Sequence, residues 1–413
     1  MAKTTGFFGG HIVGLLILAL LASASKAGQL TYTSYAFSTL AGIPDLAGYW
    51  DAPIGSAAVF HNPAGVAADA NGHLYVADTF NSAVRELAPV GTNWAVTTVA
   101  KGFNYPYALA LDAAGEIYVA DTLNSAIRKL TPAGTNWVLS TLPGTYASLG
   151  VAVDNATNVY VNDGSSVIVK ITPQGVITTL AGKPGVTGTN DGTGSSARFN
   201  TPCGLAVDSA TNVYVADSGN NTIRRVTPQG VVTTLAGVAG VAGGVDGTNG
   251  TSNPPRFNSP QGVAVDGANN VYVADFNNQT IRRITPAGVV TTLGGLLNNV
   301  GSINGVGINT RFSNPEGLAI KDGTLYVADS GDDTIRQGVV TAPAITGGVG
   351  FNDRHFGFSL TGLAGQTVVV QSSTNLVTWY PLWTNTLGAD ALLFSDPQTG
   401  SLPERFYRAF IPR

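Results

Sequence analysis

Leu74-Tyr75-Val76-Ala77-Asp78, with Asn81 behind it and then Val84-Arg85, decides how this chain folds, because the same run keeps returning. Ile117-Tyr118-Val119-Ala120-Asp121, with Asn124 and Ile127-Arg128, is a second copy. Further copies end at Asp217, Asp275 and Asp329, each followed by Ile-Arg, and a degenerate copy holds Asp163. The six Asp positions (78, 121, 163, 217, 275 and 329) lie 42 to 58 residues apart. That is the spacing of four-stranded blades joined by loops of variable length. Ahead of each copy runs an apolar strand such as Gly204-Leu205-Ala206-Val207-Asp208. Behind it come the Ile-Arg strand, a tight turn such as Thr227-Pro228-Gln229-Gly230, and a fourth strand that ends in Thr-Thr-Leu-Ala-Gly, as at Thr233 to Gly237. The runs alternate with the strand period, and none sustains a helical one.

The expected fold is therefore all-β: a six-bladed β-propeller followed by a small C-terminal antiparallel β-sandwich domain. Composition agrees. Charged residues make up 11% of the chain and Gly contributes 52 residues, which suits many short strands and turns that need positive φ. Thr39-Leu40-Ala41-Gly42 repeats the fourth-strand ending before the first complete unit. It is expected to complete the last blade and close the ring, which removes exposed sheet edges; Val339 to Ile345 is the alternative strand for that place. Residues 1–27 read as a signal peptide, with Lys3, the apolar run Ile12 to Ala22 and small residues up to Ala27. The run is too short to span a bilayer comfortably. Residues 28–343 are then the propeller and 344–413 the small β domain, with Trp379, Trp383, Phe394, Phe406 and Tyr407 expected to supply much of its core. The expected location is secreted, periplasmic or cell-surface, with no membrane span in the mature chain and a monomeric state.

Pro202 to Arg224 and Pro260 to Arg282 show the unit at its clearest: Pro-x-Gly, an apolar strand ending in Asp, Val-Tyr-Val-Ala-Asp, then Asn and Ile-Arg. This unit resembles the NHL repeat, and connectors such as Asp191-Gly192-Thr193-Gly194 resemble that family's too. The resemblance covers roughly residues 36 to 340. It implies a six-bladed propeller of exported bacterial type, usually a binding or scaffolding module and sometimes an enzyme. The C-terminal segment resembles a short β domain found at the ends of exported bacterial repeat proteins.

The repeat sorts its own polar residues. Asp69, Asp112, Asp154, Asp208, Asp266 and Asp322 end the first strands, and the Asp of the second strands lies at the opposite face. Both sets are expected to cap turns. Arg85, Arg128, Arg224, Arg282 and Arg336 share one position and are expected to pair with a blade Asp or loop carbonyls. The residue after each varies and is expected to be solvated. Phe199, Phe257 and Phe312 are expected to wedge between blades. The third copy, Val159-Tyr160-Val161-Asn162-Asp163, has Val169 where the Arg should stand. This makes Asp163 and Asn162 candidates for a ligand-binding acceptor at the axis. The connectors into blades 1, 4, 5 and 6 are long and are where recognition is expected. The first carries Tyr49-Trp50-Asp51, a second candidate ligand site. Asp191 and Asp246 open loops that look weakly like calcium loops without their ligand count.

Several function classes fall away. The net charge of -4 offers no pull on nucleic acid. The lone Cys203 permits no intramolecular disulfide and has no His beside it, so burial is its expected role. Only His61 and His73 fall within the propeller, at opposite ends of one strand, too few for zinc. No nucleophile elbow, P-loop or dinucleotide fingerprint occurs. The reading is a non-catalytic binding or scaffold module for a protein or carbohydrate ligand on the face with the long connectors, with no required cofactor. The alternative is a calcium-dependent propeller hydrolase or lactonase. The axis discriminates: converging unpaired acids would favour the enzyme, and a channel filled by Val, Ala and Tyr would favour binding.

Overall fold

The computed structural model describes residues 35–340, 344–352, 355–361, 367–373, 380–387, 392–396 and 406–410. The proposed signal peptide lies outside them. Residues 35–339 form one compact unit, and the chain from Val340 onward belongs to a second.

The first unit is six antiparallel sheets in chain order, each with four principal strands. Blade 1 runs through Pro63–Ala68, Leu74–Asp78, Ala83–Val90 and Asn93–Lys101. Blade 6 takes Pro315–Lys321, Thr324–Asp329 and Thr334–Val340, and its outer strand is Tyr35–Ala41 from the other end of the propeller. The N-terminal strand thus closes the ring. The alternative segment is divided: Val339 and Val340 end the third strand of blade 6, and Ala344–Asn352 pairs with His355–Thr361 in the second unit.

The second strands are buried along their whole length, as in Val213–Asp217 and Val271–Asp275. A blade is covered on both faces by its neighbours, so this strand reads as continuously apolar rather than alternating. Its Tyr is the exception that needs a partner. Tyr160, Tyr214 and Tyr272 donate their hydroxyls to Asp154, Asp208 and Asp266 at 2.9, 3.1 and 3.0 Å. Each of those acids also caps the turn behind it; Asp208 accepts from the amides of Ala210 and Asn212 at 2.9 and 2.8 Å. Asp322 departs from the expectation. Its turn is a two-residue Asp-Gly hairpin with φ 49° at Asp322 and 77° at Gly323, a geometry set by positive φ rather than by a side-chain cap.

The repeated Arg holds each fully built blade together. Arg85, Arg224, Arg282 and Arg336 have no exposed surface. They pair with Asp78, Asp217, Asp275 and Asp329 at 2.7, 2.8, 2.9 and 2.7 Å. Each lies over a buried ring, Phe60, Phe199, Phe257 or Phe312, with 5.0 to 5.3 Å from guanidinium carbon to ring centre. The long connector supplies the rest. Asp51, Asp191 and Asp246 reach Arg85, Arg224 and Arg282 at 2.6, 2.7 and 2.7 Å, and Asn304 accepts from Arg336 at 2.9 Å. Their oxygens also accept from the outer strand, as Asp191 does from the amide of Thr234 at 3.0 Å. Short strands at Gly192–Thr193, Gly247–Thr248 and Gly305–Val306 then pair with the outer strand of the same blade. Blade 2 has a short connector, and Arg128 there is 24% exposed and 3.7 Å from Asp121.

The residue after the Arg is not uniformly solvated. Arg283 is buried, with the neutral hydroxyls of Tyr35 and Tyr272 and the Asp266 carboxylate around it where the closing strand enters.

Among the described residues, the second unit contains two three-stranded antiparallel sheets. One joins Ala344–Asn352, His355–Thr361 and Leu392–Asp396; the other joins Tyr380–Thr386, Thr367–Ser373 and Phe406–Phe410. Phe358, Leu360, Val368, Val370, Leu387 and Phe394 form its core. Trp383 and Tyr407 set their rings 5.6 and 6.0 Å from Phe394. Trp379 and the side chain of Phe406 lie outside the described residues.

Arg282→Gln would leave Asp275 buried without its cation and is expected to cost about 3–5 kcal/mol. Arg128→Gln, whose guanidinium is 24% exposed and 3.7 Å from Asp121, is expected to cost clearly less. Urea unfolding of the two variants beside the parent checks the contrast.

Candidate functional site

The first strands open with Pro-x-Gly in most blades, as at Pro63-Ala64-Gly65 and Pro315-Glu316-Gly317. The glycine lets them converge. A Cβ on Gly65, Gly204, Gly262 or Gly317 would lie 2.7 Å or less from the carbonyl oxygen of Tyr107, Gln261, Glu316 or Ala64 on a neighbouring first strand. That backbone approach draws the six strands around an axial cavity of about 50 Å³, room for only a few water-sized groups. The x residues Ala64, Tyr107, Leu149, Gln261 and Glu316 line it. The sixth, Cys203, is buried, and burial pushes its thiol up to about 12, far from a reactive thiolate.

Glu316 is the one acid of this ring. It is 8% exposed, and its Oε2 has no hydrogen-bond partner. Burial pushes the carboxyl up to about 7, against the opposing pull of the Ser330 and Tyr107 hydroxyls. The Tyr107 hydroxyl reaches Gln261 Oε1 at 3.5 Å, and burial raises it well above its ordinary range. From Tyr107 an aromatic strip leads outward. Tyr105 stacks on Tyr107 at 6.0 Å, Phe80 meets Tyr105 at 5.6 Å, and His61 meets Phe80 edge-on at 4.9 Å. Phe80 is 51% exposed, an unusual state for a large ring that packs on other rings.

Blade 6 flanks the mouth with a broken rule. Asn81, Asn124, Asn220 and Asn278 each donate to the second-strand Asp of their blade, at 2.9, 2.9, 2.8 and 2.7 Å. Blade 6 has Asp332 there. An ionised carboxylate cannot donate to Asp329. Asp332 Oδ2 is buried without a partner. Burial first, then the charge of Asp45, pushes its carboxyl up to about 6, while Arg336 opposes. Burial and the Asp332 charge likewise raise Asp329, although Arg336 pulls it down.

The candidates named from sequence lie elsewhere. Asn162 does not face the axis. Its amide donates to the carbonyls of Pro202 and Cys203 at 2.7 and 2.6 Å, and its oxygen accepts from Leu149 N and Ser148 Oγ at 2.8 Å each. It bridges blades 3 and 4 where the Arg clamp is missing. Asp163 accepts from the amide and hydroxyl of Ser165 at 2.8 and 2.6 Å, closing its own turn. Neither residue lines the axial cavity. Asp51, Asp191 and Asp246 all sit in the Arg clamps. Among the described residues no group of three His, Cys, Asp or Glu is placed to hold a metal. Tyr49 lies under Arg85 and Lys101, 4.7 and 4.0 Å from ring centre. Trp50 is 65% exposed, and it remains an open surface contact on the blade 1 connector. His73 pairs with Glu86 at 2.7 Å, at the end of the strand away from His61. Sequence reasoning passed over Glu316, Gln261 and Tyr107, although a signal was present: a varying slot directly behind a recurring Pro, followed by Gly after Gln261 and Glu316 and by Ala108 after Tyr107.

A family model for the NHL repeat matches residues 60–87 and 257–284. No curated protein matches the sequence. Among solved structures, a structural genomics protein of unknown function from Bacteroides thetaiotaomicron superposes with a TM-score of 0.63 at 22% identity, over 77% of this chain and 79% of that one. An auxiliary nutrient binding protein from Bacteroides ovatus gives 0.60 at 19% identity, over 75% and 77%. One of the same description from Bacteroides thetaiotaomicron gives 0.58 at 17%, over 75% and 76%.

Asp332→Asn restores the donor that the other blades have. The folded-state value of Asp332, about 6, lies above the ordinary 3.8. Its contribution is therefore present below about pH 4 and is lost as pH rises through about 6. The variant is expected to match the parent near pH 4 and to exceed it by about 1–2 kcal/mol above pH 7. Thermal unfolding of both proteins from pH 4 to 8 checks it.

Proposed function

We propose that this chain, a six-bladed β-propeller of the NHL-repeat family, is a non-catalytic binding module whose ligand, a protein or a carbohydrate, docks over the axial mouth. The observation that carries this is the strip His61–Phe80–Tyr105–Tyr107, which leads from an exposed ring to an unpartnered buried acid. Exposed rings that pack on one another offer flat apolar area at little entropic cost, and a single convergent polar group orients what lies on them. The axis carries one acid and one amide among Ala, Leu and Tyr, whereas calcium asks for six or more oxygens. This supports binding over a calcium-dependent hydrolase. The Bacteroides neighbours described as auxiliary nutrient binding proteins support a binding role by analogy of fold.

The long connectors take a different part in this reading. Their acids are engaged by the Arg clamps, so they frame the face, and blades 1 and 2 present the rings. We read the second unit as a small β-sandwich. Export through residues 1–27 to the periplasm, the cell surface or the medium belongs to the same proposal, as does a monomeric state; no described helix is long and apolar enough to cross a membrane.

Calorimetric titration with a panel of oligosaccharides and peptides tests the site. Phe80→Ala and Tyr105→Ala are expected to weaken the best ligand at least tenfold, about 1.4 kcal/mol each, while Trp50→Ala leaves it unchanged. Loss in Trp50→Ala with full binding in the mouth variants would move the site to the blade 1 connector.

A further inference from the structure

We propose that the axial mouth is a receptor for a protonated amine, with Glu316 as its counter-ion and Tyr107, Tyr105 and Phe80 as its aromatic wall. This rests on the mouth being the ligand site and adds the chemical class of the group that enters it.

Glu316 lacks what other buried acids of the propeller have. The second-strand acids Asp78, Asp217, Asp275 and Asp329 are buried too, and each has a guanidinium within 2.9 Å. Among the described residues no cation pairs with Glu316, and only the hydroxyls of Ser330 and Tyr107 are set against its burial. Its Oε2 is buried, without a partner, on the wall of the cavity. An acid left in that condition costs folding energy unless something that arrives later compensates. The titratable groups that face it are Tyr105 and Tyr107 from blade 2 and Cys203 from blade 4. Burial raises all three, so none carries charge at neutral pH, and none is a cation. The site has a place for one positive charge and no protein group to supply it.

The remaining features choose among ligand classes. A cavity of about 50 Å³ that opens to solvent admits a head group the size of an ammonium. Stacked tyrosines with an exposed Phe beyond them favour a cation through their ring faces and an alkyl stem through their area. Asp333 of blade 6 accepts from the Asn62 amide and lies close enough to His61 of the aromatic strip to interact with it, which adds negative potential along an amine's approach. A neutral hydroxyl would donate a hydrogen bond to Glu316 and gain none of this electrostatic attraction.

Because Glu316 must be ionised to act as counter-ion, binding and proton release are linked. With a carboxyl near 7, the competent fraction rises about tenfold between pH 6 and pH 8, and the apparent affinity follows it. The test is calorimetric titration of the full chain with n-butylammonium chloride, and with n-pentanol as a neutral analogue, at pH 6, 7 and 8. Butylammonium remains protonated throughout. The expected result is binding of the ammonium alone, about tenfold tighter at pH 8 than at pH 6. Glu316→Gln should weaken it at least tenfold and abolish the pH dependence. Tyr107→Phe, which keeps the ring and the acid, should retain the pH dependence, and thermal unfolding confirms that both variants are folded. Equal binding of pentanol, a flat pH profile, an unaffected Glu316→Gln or no heat at any pH would each overturn the amine proposal. If butylammonium fails while an oligosaccharide or peptide still binds and is lost in Phe80→Ala, the binding-module reading stands and only the amine assignment falls.

Discussion

A buried guanidinium is the constraint on which the blades of this propeller depend. Arg85, Arg224, Arg282 and Arg336 each tie three separate pieces of chain together: the end of a second strand, the long connector and the carbonyls beside a buried Phe. Arg224, for example, donates to Asp217, to Asp191 and to the carbonyls of Arg198 and Asn190. Removing a charge from water is expensive, and only a nearly complete set of partners offsets it. The connector acid completes that set, which explains why connector length and Arg burial go together. Where the connector is short, Arg128 stays partly in water. Where no Arg exists, the neutral Asn162 makes the interblade bridge with its amide.

The axis obeys a second constraint of a different kind. Six first strands can surround a cavity of this size only if their backbones come close, and the missing Cβ of Gly65, Gly150, Gly204, Gly262 and Gly317 permits it. The preceding side chain is then left beside the cavity and is free to vary without disturbing the blade. Architecture and recognition are thereby separated by one residue: the Gly is structural, and its neighbour sets the chemistry of the ring. Glu316 and Gln261 occupy that neighbour position, and Tyr107 is its counterpart in blade 2, where Ala108 replaces the Gly.

Blade 6 combines both constraints with ring closure. Its outer strand, Tyr35–Ala41, comes from the far end of the propeller chain, Phe37 packs edge-on against Phe312 at 5.1 Å, and Asp45 N donates to the Asp332 carbonyl at 3.3 Å. The same blade supplies Glu316 to the axis and Asp332 to the clamp. The blade that joins the ring therefore carries raised carboxyls in separate places, Glu316 at the axis and Asp332 beside the Arg336 clamp.

Much of this was legible in the residues alone. The return of Tyr-Val-Ala-Asp at blade spacing, with Pro-x-Gly before it and Ile-Arg after it, established the number of blades, the order of strands and the structural duty of most Asp and Arg residues, because each repeat must satisfy the same turns and the same buried charge. Local pattern could not say which of two strands closes the ring, since both fit the blade. Nor could it show that Asp51, Asp191 and Asp246 fold back onto the arginines, because those partners lie more than thirty residues away. The site was hidden for the same reason. Tyr107, Gln261 and Glu316 are separated by 154 and 55 residues along the chain, and only closure of the six strands around an axis brings them to one cavity. Sequence determined the unit; the ring determined which of its variable positions meet.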